Sequence, residues 1–234
     1  MTSTPPLRSD AARNRAALVA AAREVMAERG LDVPLDEIAR RAGIGNATLY
    51  RRFPRRIDLI AAVFADRLVE HDRAVASALA AADPWEGLCR YLETATEMQV
   101  NDRGIADLIT MDVSAAPEIK AVRDRAFTGL VEVIERAKTT GSLRADATPE
   151  DVFVILQANA GLVFRAHRAA AEASRRLVHL LIDGLRAEAA TPGARAPAPR
   201  RMLAAIRANS RHAGLLEPKL QKPQKPQKAE KPRT

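Results

Sequence analysis

The sequence predicts an all-α protein, a three-helix head followed by a larger helical body, and three observations predict it. Ala, Leu, Arg and Glu, all good helix formers, dominate the composition, while aromatic residues make up only 3%. Apolar residues recur three and four apart over long stretches, and no alternating β-branched run is bounded by turn residues. Gly, Pro and Asx residues fall between these stretches, where helices must stop or start. With 234 residues, 47% of them hydrophobic, the chain can form one or two domains around a real core.

Taken in order, residues 1–8 read as a flexible arm, because Pro5-Pro6 opposes helix. Ser9 or Asp10 can cap a first helix reaching Arg29, with Gly30 as its stop. Its stripe of Ala17, Leu18, Ala21, Val25 and Met26 is suited to cover two further helices. Those lie in the stretch from Pro34 to Arg56. Leu35, Ile38, Ala39 and Ala42 predict a short helix, Gly43 and Gly45 break it, and a second helix starts at Asn46. Pro54 biases Phe53 away from helical angles and closes it. Two short helices across a tight Gly-bearing turn form a helix-turn-helix, which bounds the head at residues 9–54.

The residue types fit reading of a major groove. Leu49 and Phe53 can pack inward with Ile38 and Ile44, leaving Asn46, Thr48, Tyr50, Arg51 and Arg52 on the other face. Asn can pair with an adenine edge, Thr or Ala can touch a thymine methyl, and Arg can grip guanine or phosphate. Arg55 and Arg56 follow, placed for the DNA backbone, and Arg8, Arg13 and Arg15 begin the first helix. An ordinary amphipathic hairpin with a solvated basic face is the alternative on spacing alone.

The body occupies residues 55–188. A long helix from Arg55 to Ala82 carries Ile57, Leu59, Ile60, Val63, Phe64, Leu68 and Val75, and Asp83-Pro84 ends it. Further helices are predicted over Trp85–Val100, Ile105–Val113 and Pro117–Thr140. Thr148-Pro149-Glu150-Asp151 is a strong helix start, with a Thr cap, Pro at the first position and acids at the positive dipole end. That helix runs to about His167 and a last one to about Glu188. Both are apolar on more than one face, and nothing later in the chain can cover them. Residues 148–188 are therefore expected to pair with the same segment of a second subunit, as a four-helix homodimer interface.

Residues 189–234 form a basic and largely disordered tail. Pro192, Gly193, Pro197 and Pro199 mark a linker, Arg200–Arg211 a short helix, and the rest is low-complexity. Five of the seven lysines lie between 219 and 231, in a chain that otherwise uses Arg. The net charge of +8 is unevenly spread. Residues 1–56 hold 11 Lys/Arg against six Asp/Glu, residues 57–188 hold 15 against 21, and the tail holds 11 against two. A polyanion is drawn to the ends and repelled by the body.

Gly30, Ile38-Ala39, Ala42-Gly43, Thr48-Leu49-Tyr50, Phe53 and Leu59 together resemble the N-terminal signature of the TetR/AcrR family of bacterial transcriptional regulators. The resemblance covers about residues 8 to 64. It implies that Asn46, Ala47, Thr48, Tyr50 and Arg52 contact bases and phosphates, and that Arg56 replaces a phosphate-binding lysine. Departures are Pro34 and Gly45 at positions where the family often has Thr and Ser caps, Arg52 for a common His, and Ile57 for an acid. The resemblance further implies a ligand-responsive repressor, acting as a homodimer on a palindromic double-stranded DNA operator. The alternative is an effector-independent DNA-architectural protein.

Family resemblance also points to a small-molecule effector in the middle helices. Candidate lining is Phe64, Leu68, Leu92, Met98, Leu108, Met111, Phe127, Leu130 and Phe153, with Thr94 and Gln157 as polar anchors. No cofactor, metal site or catalytic constellation is expected. The four histidines are isolated, Cys89 has no partner, and no Gly-rich phosphate loop follows a strand. No signal pattern or membrane span is found, so a cytoplasmic protein is expected.

Overall fold

The computed structural model describes residues 7–212 apart from 115 and 194. Of the arm expected at 1–8, residues 1–6 lie outside the described residues, and Leu7 and Arg8 already belong to the first helix. The low-complexity segment beyond Gly214 also lies outside the described residues. Ten α-helices are described: α1 (Leu7–Arg29), α2 (Leu35–Arg41), α3 (Asn46–Arg52), α4 (Arg56–Leu79), α5 (Pro84–Asn101), α6 (Arg103–Thr110), α7 (Pro117–Thr139), α8 (Pro149–Ala166), α9 (Ala170–Leu185) and α10 (Pro199–His212). The all-helical expectation holds. The only pairing of extended backbone among the described residues is an antiparallel bridge between Leu143 and Arg186, which ties the α7–α8 loop to the end of α9. No helix among the described residues is long and apolar enough to cross a membrane.

Local chemistry sets most of the helix ends. Gly30 (φ +86°) and Gly43 (φ +66°) take left-handed angles that end α1 and turn the chain between α2 and α3. Asp83 caps α5 by accepting from Trp85 N at 2.8 Å. At α8 the Thr148 backbone N–H and hydroxyl both donate to Asp151, at 2.7 and 3.0 Å. Arg55 and Asp58 close a reciprocal box at the start of α4.

Helix α4 ends at Leu79, short of the expected Ala82, and α6 is shifted as a whole. The stretch expected over Ile105–Val113 is helical over Arg103–Thr110 instead. Asp102 starts it early, accepting from Ile105 N at 3.1 Å, and Met111 is already extended. Asp112 then holds the turn by accepting from Ser114 N at 2.9 Å.

The core is continuous from head to body. Leu18, Val25 and Met26 of α1 join Ile38 of α2, Leu49 of α3 and Phe53, and α4 carries the cluster onward through Ile60, Val63 and Phe64. In the body, α4 packs along α5 and α7, and α5 packs against α8 and α9. Helix α6 is wedged between head and body. A Cβ on Gly104 would come within 2.3 Å of the Phe64 ring and 3.1 Å of the Met26 carbonyl oxygen, so only glycine permits this approach. On the next turn Asp107 accepts from Leu31 N at 2.8 Å, binding α6 to the end of α1.

Candidate functional site

Helix α3 stands on the head with one buried side and one outward side. Leu49 is 1% exposed and Phe53 is buried beside it. Ala47, Arg51 and Arg52 are exposed, while Asn46, Thr48 and Tyr50 are half-buried at the rim of the same face. The neighbouring α1–α2 surface uses its charges internally: Arg41 pairs with Glu24 at 2.9 Å and Arg29 with Glu37 at 2.6 Å. Arg51 and Arg52 have no acid within ion-pair distance among the described residues, so their charge faces outward. The Tyr50 hydroxyl donates to Asp36 at 3.2 Å, which pins the ring between α2 and α3. Burial, then Asp36, raises the phenol pKa, so this hydroxyl stays a donor. Arg15 lays its guanidinium over the Phe53 ring at 5.5 Å, placing an α1 cation at the α3 end.

Arg56, the expected phosphate contact, also serves the head itself. It is half-buried, and one terminal nitrogen donates to the Leu31 and Val33 carbonyls at 2.8 and 2.7 Å. That bond holds the loop before α2, a role its long fork fills because those carbonyls lie past the end of α1.

The expected effector residues divide. Phe64, Leu68, Leu92, Met98, Leu108, Met111 and Leu130 are buried and Phe153 and Gln157 half-buried. Phe127 corrects the expectation of an interior position, being 53% exposed, because the buried arc of α7 runs through Ile119, Ala126, Leu130 and Val133 instead. Thr94 is also exposed; it lines a groove of about 270 Å³ with Met98, Arg67 and Asp102.

The polar groups inside the body are others. Asn159 of α8 donates to Gln99 Oε1 of α5 at 2.8 Å, and Gln99 donates to the Leu156 carbonyl at 3.1 Å. Asn159 Oδ1 is sealed and has no hydrogen-bond partner. A second cluster joins α4, α5 and α7. The Tyr91 hydroxyl and His71 Nε2 are 3.2 Å apart, and Arg123 donates to the Met111 carbonyl nearby. Burial, then Arg123, lowers the His71 pKa to about 4, so the ring is neutral. Gln99 falls at helical spacing with Trp85, Leu88, Leu92 and Ala95, which marks it in the sequence as a polar residue on the apolar face of α5. Nothing there set Asn159 or Arg123 apart from surface residues.

Helices α8 and α9 leave large apolar side chains outside. Val154 is 43%, Phe164 62% and Leu180 50% exposed, and Leu177 and Leu181 are half-buried beside them.

Comparison with known proteins agrees with this architecture. The family model for bacterial regulatory proteins of the tetR family matches residues 18–63, and that for the SbtR-like transcriptional regulator C-terminal domain matches residues 83–187. The HTH-type transcriptional repressor LfrR of Mycolicibacterium smegmatis is 35% identical over 144 residues, 59% of this chain and 72% of LfrR. A TetR transcriptional regulator from Streptomyces coelicolor is 31% identical, with 74% of this chain and 98% of that one covered and a TM-score of 0.47. FadR of Bacillus subtilis, solved in complex with stearoyl-CoA, shares the fold: TM-score 0.54 at 16% identity, covering 73% of this chain and 98% of FadR.

Proposed function

The chain belongs to the tetR family of bacterial transcriptional regulators, and we propose that it is a homodimeric repressor whose grip on a palindromic operator is released by a small molecule. The observation that carries this reading is the outward face of α3, where Arg51 and Arg52 are exposed without an acidic partner on a helix whose other side is sealed by Leu49. Placed in a major groove, Asn46, Ala47, Thr48 and Tyr50 meet base edges and phosphates, and the two arginines add charge or a bidentate grip. The Arg56 guanidinium contributes by fixing the loop before α2, and with it the angle of α3. Repression is the activity of LfrR.

The outer face of α8 and α9 supports the homodimer. Side chains as large as Phe164 and Leu180 in water are costly, and a second copy related by a two-fold axis covers both at once. Two α3 helices then reach successive grooves about 34–36 Å apart. On this reading the head spans 9–54, the body 55–188, and the effector lies within the body, against the buried set from Phe64 to Leu130 and the half-buried Phe153 and Gln157.

Titration of an inverted-repeat duplex, selected by the protein from random sequence, tests the reading against a scrambled duplex. The expected result is strong preference for the repeat, and loss of about a hundredfold in affinity for Phe164→Glu/Leu180→Glu, because two linked half-sites become independent. Equal affinity for both duplexes would return the chain to the architectural alternative. Sedimentation of a wild-type monomer at micromolar concentration would remove the dimer.

A further inference from the structure

We propose that the effector carries a carboxylate, and that Arg123 is its anchor. The proposal rests on the reading of the body as an effector-sensing domain and names the chemistry of the ligand.

Arg123 lies half-buried on α7, facing His71 of α4 and Tyr91 of α5. Its guanidinium has five N–H donors, and its one hydrogen bond among the described residues runs to the Met111 carbonyl. Among the described residues, no carboxylate lies within ion-pair distance of it. The acid that acts on it most, Asp112, accepts from Ser114 N and Oγ at 2.9 and 3.0 Å and faces Arg207 of α10 at 3.5 Å. Other partly buried arginines of the body are matched: Arg144 meets Asp146 at 2.6 Å, and Arg136 reaches the carbonyls at the end of α4. Burial lowers the pKa of Arg123, the mark of a cation stripped of water without a full counter-charge.

The neighbours sharpen the preference. Neutral His71 has one N–H and Tyr91 one O–H, and in their shared contact only one of the two donates to the other. The second donor is left over. The cluster therefore holds spare donors on Arg123 and on the His71–Tyr91 pair. The unbonded Arg123 nitrogens are not sealed, since the one sealed and unpartnered side-chain polar atom among the described residues is Asn159 Oδ1. A donor-rich niche around a desolvated cation selects an anionic acceptor, and a carboxylate matches the planar fork of Arg. One turn along α7, Phe127 exposes an apolar ring on the same side as Arg123, so the matching ligand is amphipathic.

The test uses the full-length protein and alkyl and aryl carboxylates, octanoate and 4-butylbenzoate among them, each beside its neutral amide. Melting shifts report binding, and release of the selected inverted repeat reports response, with each variant scaled to its own operator affinity without compound. Acids are expected to bind and amides to bind at least about tenfold more weakly, the worth of a charge-assisted hydrogen bond. Arg123→Gln should lose this discrimination, Arg123→Lys should retain part of it, and Arg90→Gln, on the exposed side of α5, should behave as wild type. Amides matching acids, Arg123→Gln discriminating like wild type, or no acid binding at all would overturn the proposal. Arg123-dependent acid binding without operator release would instead uphold the site and overturn ligand-responsive repression.

Discussion

The head and the body are built from the same kind of helix but keep their polar chemistry on opposite sides. In the head every buried side chain is apolar, from Leu18 to Phe53, and the polar groups are on the outside of α3. In the body the interior itself is polar in places: Thr96, Gln99, Asp102, Thr110, Asp112, Asn159 and Ser174 are all buried, and all lie in this part of the chain. Buried polar groups oppose folding unless they are well partnered. Their confinement to the body indicates where each region works. On the proposed function, the head acts at its surface and needs only a solid core to present it, whereas the body receives its effector within.

If the head depends on apolar packing alone, Leu49→Ala should break it most severely. The residue is 1% exposed, and its truncation should lower stability by about 2–5 kcal/mol, read by thermal and denaturant melts. Arg52→Ala, on the other side of the same helix, should leave the melt unchanged and weaken DNA binding. Equal stability losses in the two variants would erase the distinction between the faces of α3.

The body should instead respond to protons. His71 has a folded-state pKa of about 4, below the ordinary value of 6.5, chiefly because it is buried. A base held neutral in the fold favours folding fully above the unfolded pKa. That contribution fades as pH falls through 6.5 and is gone below about 4. The expected loss across this window is about 1–3 kcal/mol, which His71→Gln should remove. Burial raises the Asp102 and Asp107 pKa values, so their protonation on acidification favours the fold and has the opposite sign. The difference between wild type and variant isolates the histidine.

The same contrast explains what could be read from the sequence. The head was legible because its signals are local: Gly43 turns the chain, Pro54 stops α3, and helical spacing assigns Leu49 inward and Arg52 outward. The start of α8 was legible through Thr148-Pro149 for the same reason. The interior of the body was less so. Thr94 and Thr96 are two residues apart on α5, so they point to nearly opposite sides, and only the packing of α8 and α9 decides which is enclosed. Phe127 is apolar yet outside because periodicity gives a direction and not the width of the buried arc. The bonds of Arg56 to the Leu31 and Val33 carbonyls were not legible, because those partners lie more than twenty residues away.

A subtler test concerns whether the polar interior contributes to stability. Replacing both amides, as in Gln99→Leu/Asn159→Leu, removes the unpartnered Asn159 oxygen along with the bond between the two side chains. Stability should stay level or rise by about 1 kcal/mol, while Gln99→Leu alone should cost roughly as much, since Asn159 keeps only a 3.4 Å contact with the Thr96 carbonyl. Melts of both variants decide this. A large loss in the double variant would make the amide pair part of the scaffold.

The smallest effect should come from Tyr50→Phe in the head, and it sharpens the comparison most. Its hydroxyl makes a single exposed bond to Asp36 at 3.2 Å, so losing it should cost at most about 0.5 kcal/mol of stability. The ring remains in place between α2 and α3. Whatever happens to operator affinity then reports on the hydroxyl itself, because the helix beneath it has not moved. A drop of about fivefold to tenfold with an unchanged melt would mean that the hydroxyl leaves Asp36 for a phosphate when DNA arrives. Such a contact carries little sequence information, so the loss should be equal on the inverted repeat and on scrambled duplex. An unchanged affinity would confine Tyr50 to positioning α3 and leave the reading of bases to Asn46, Ala47, Thr48 and the two arginines.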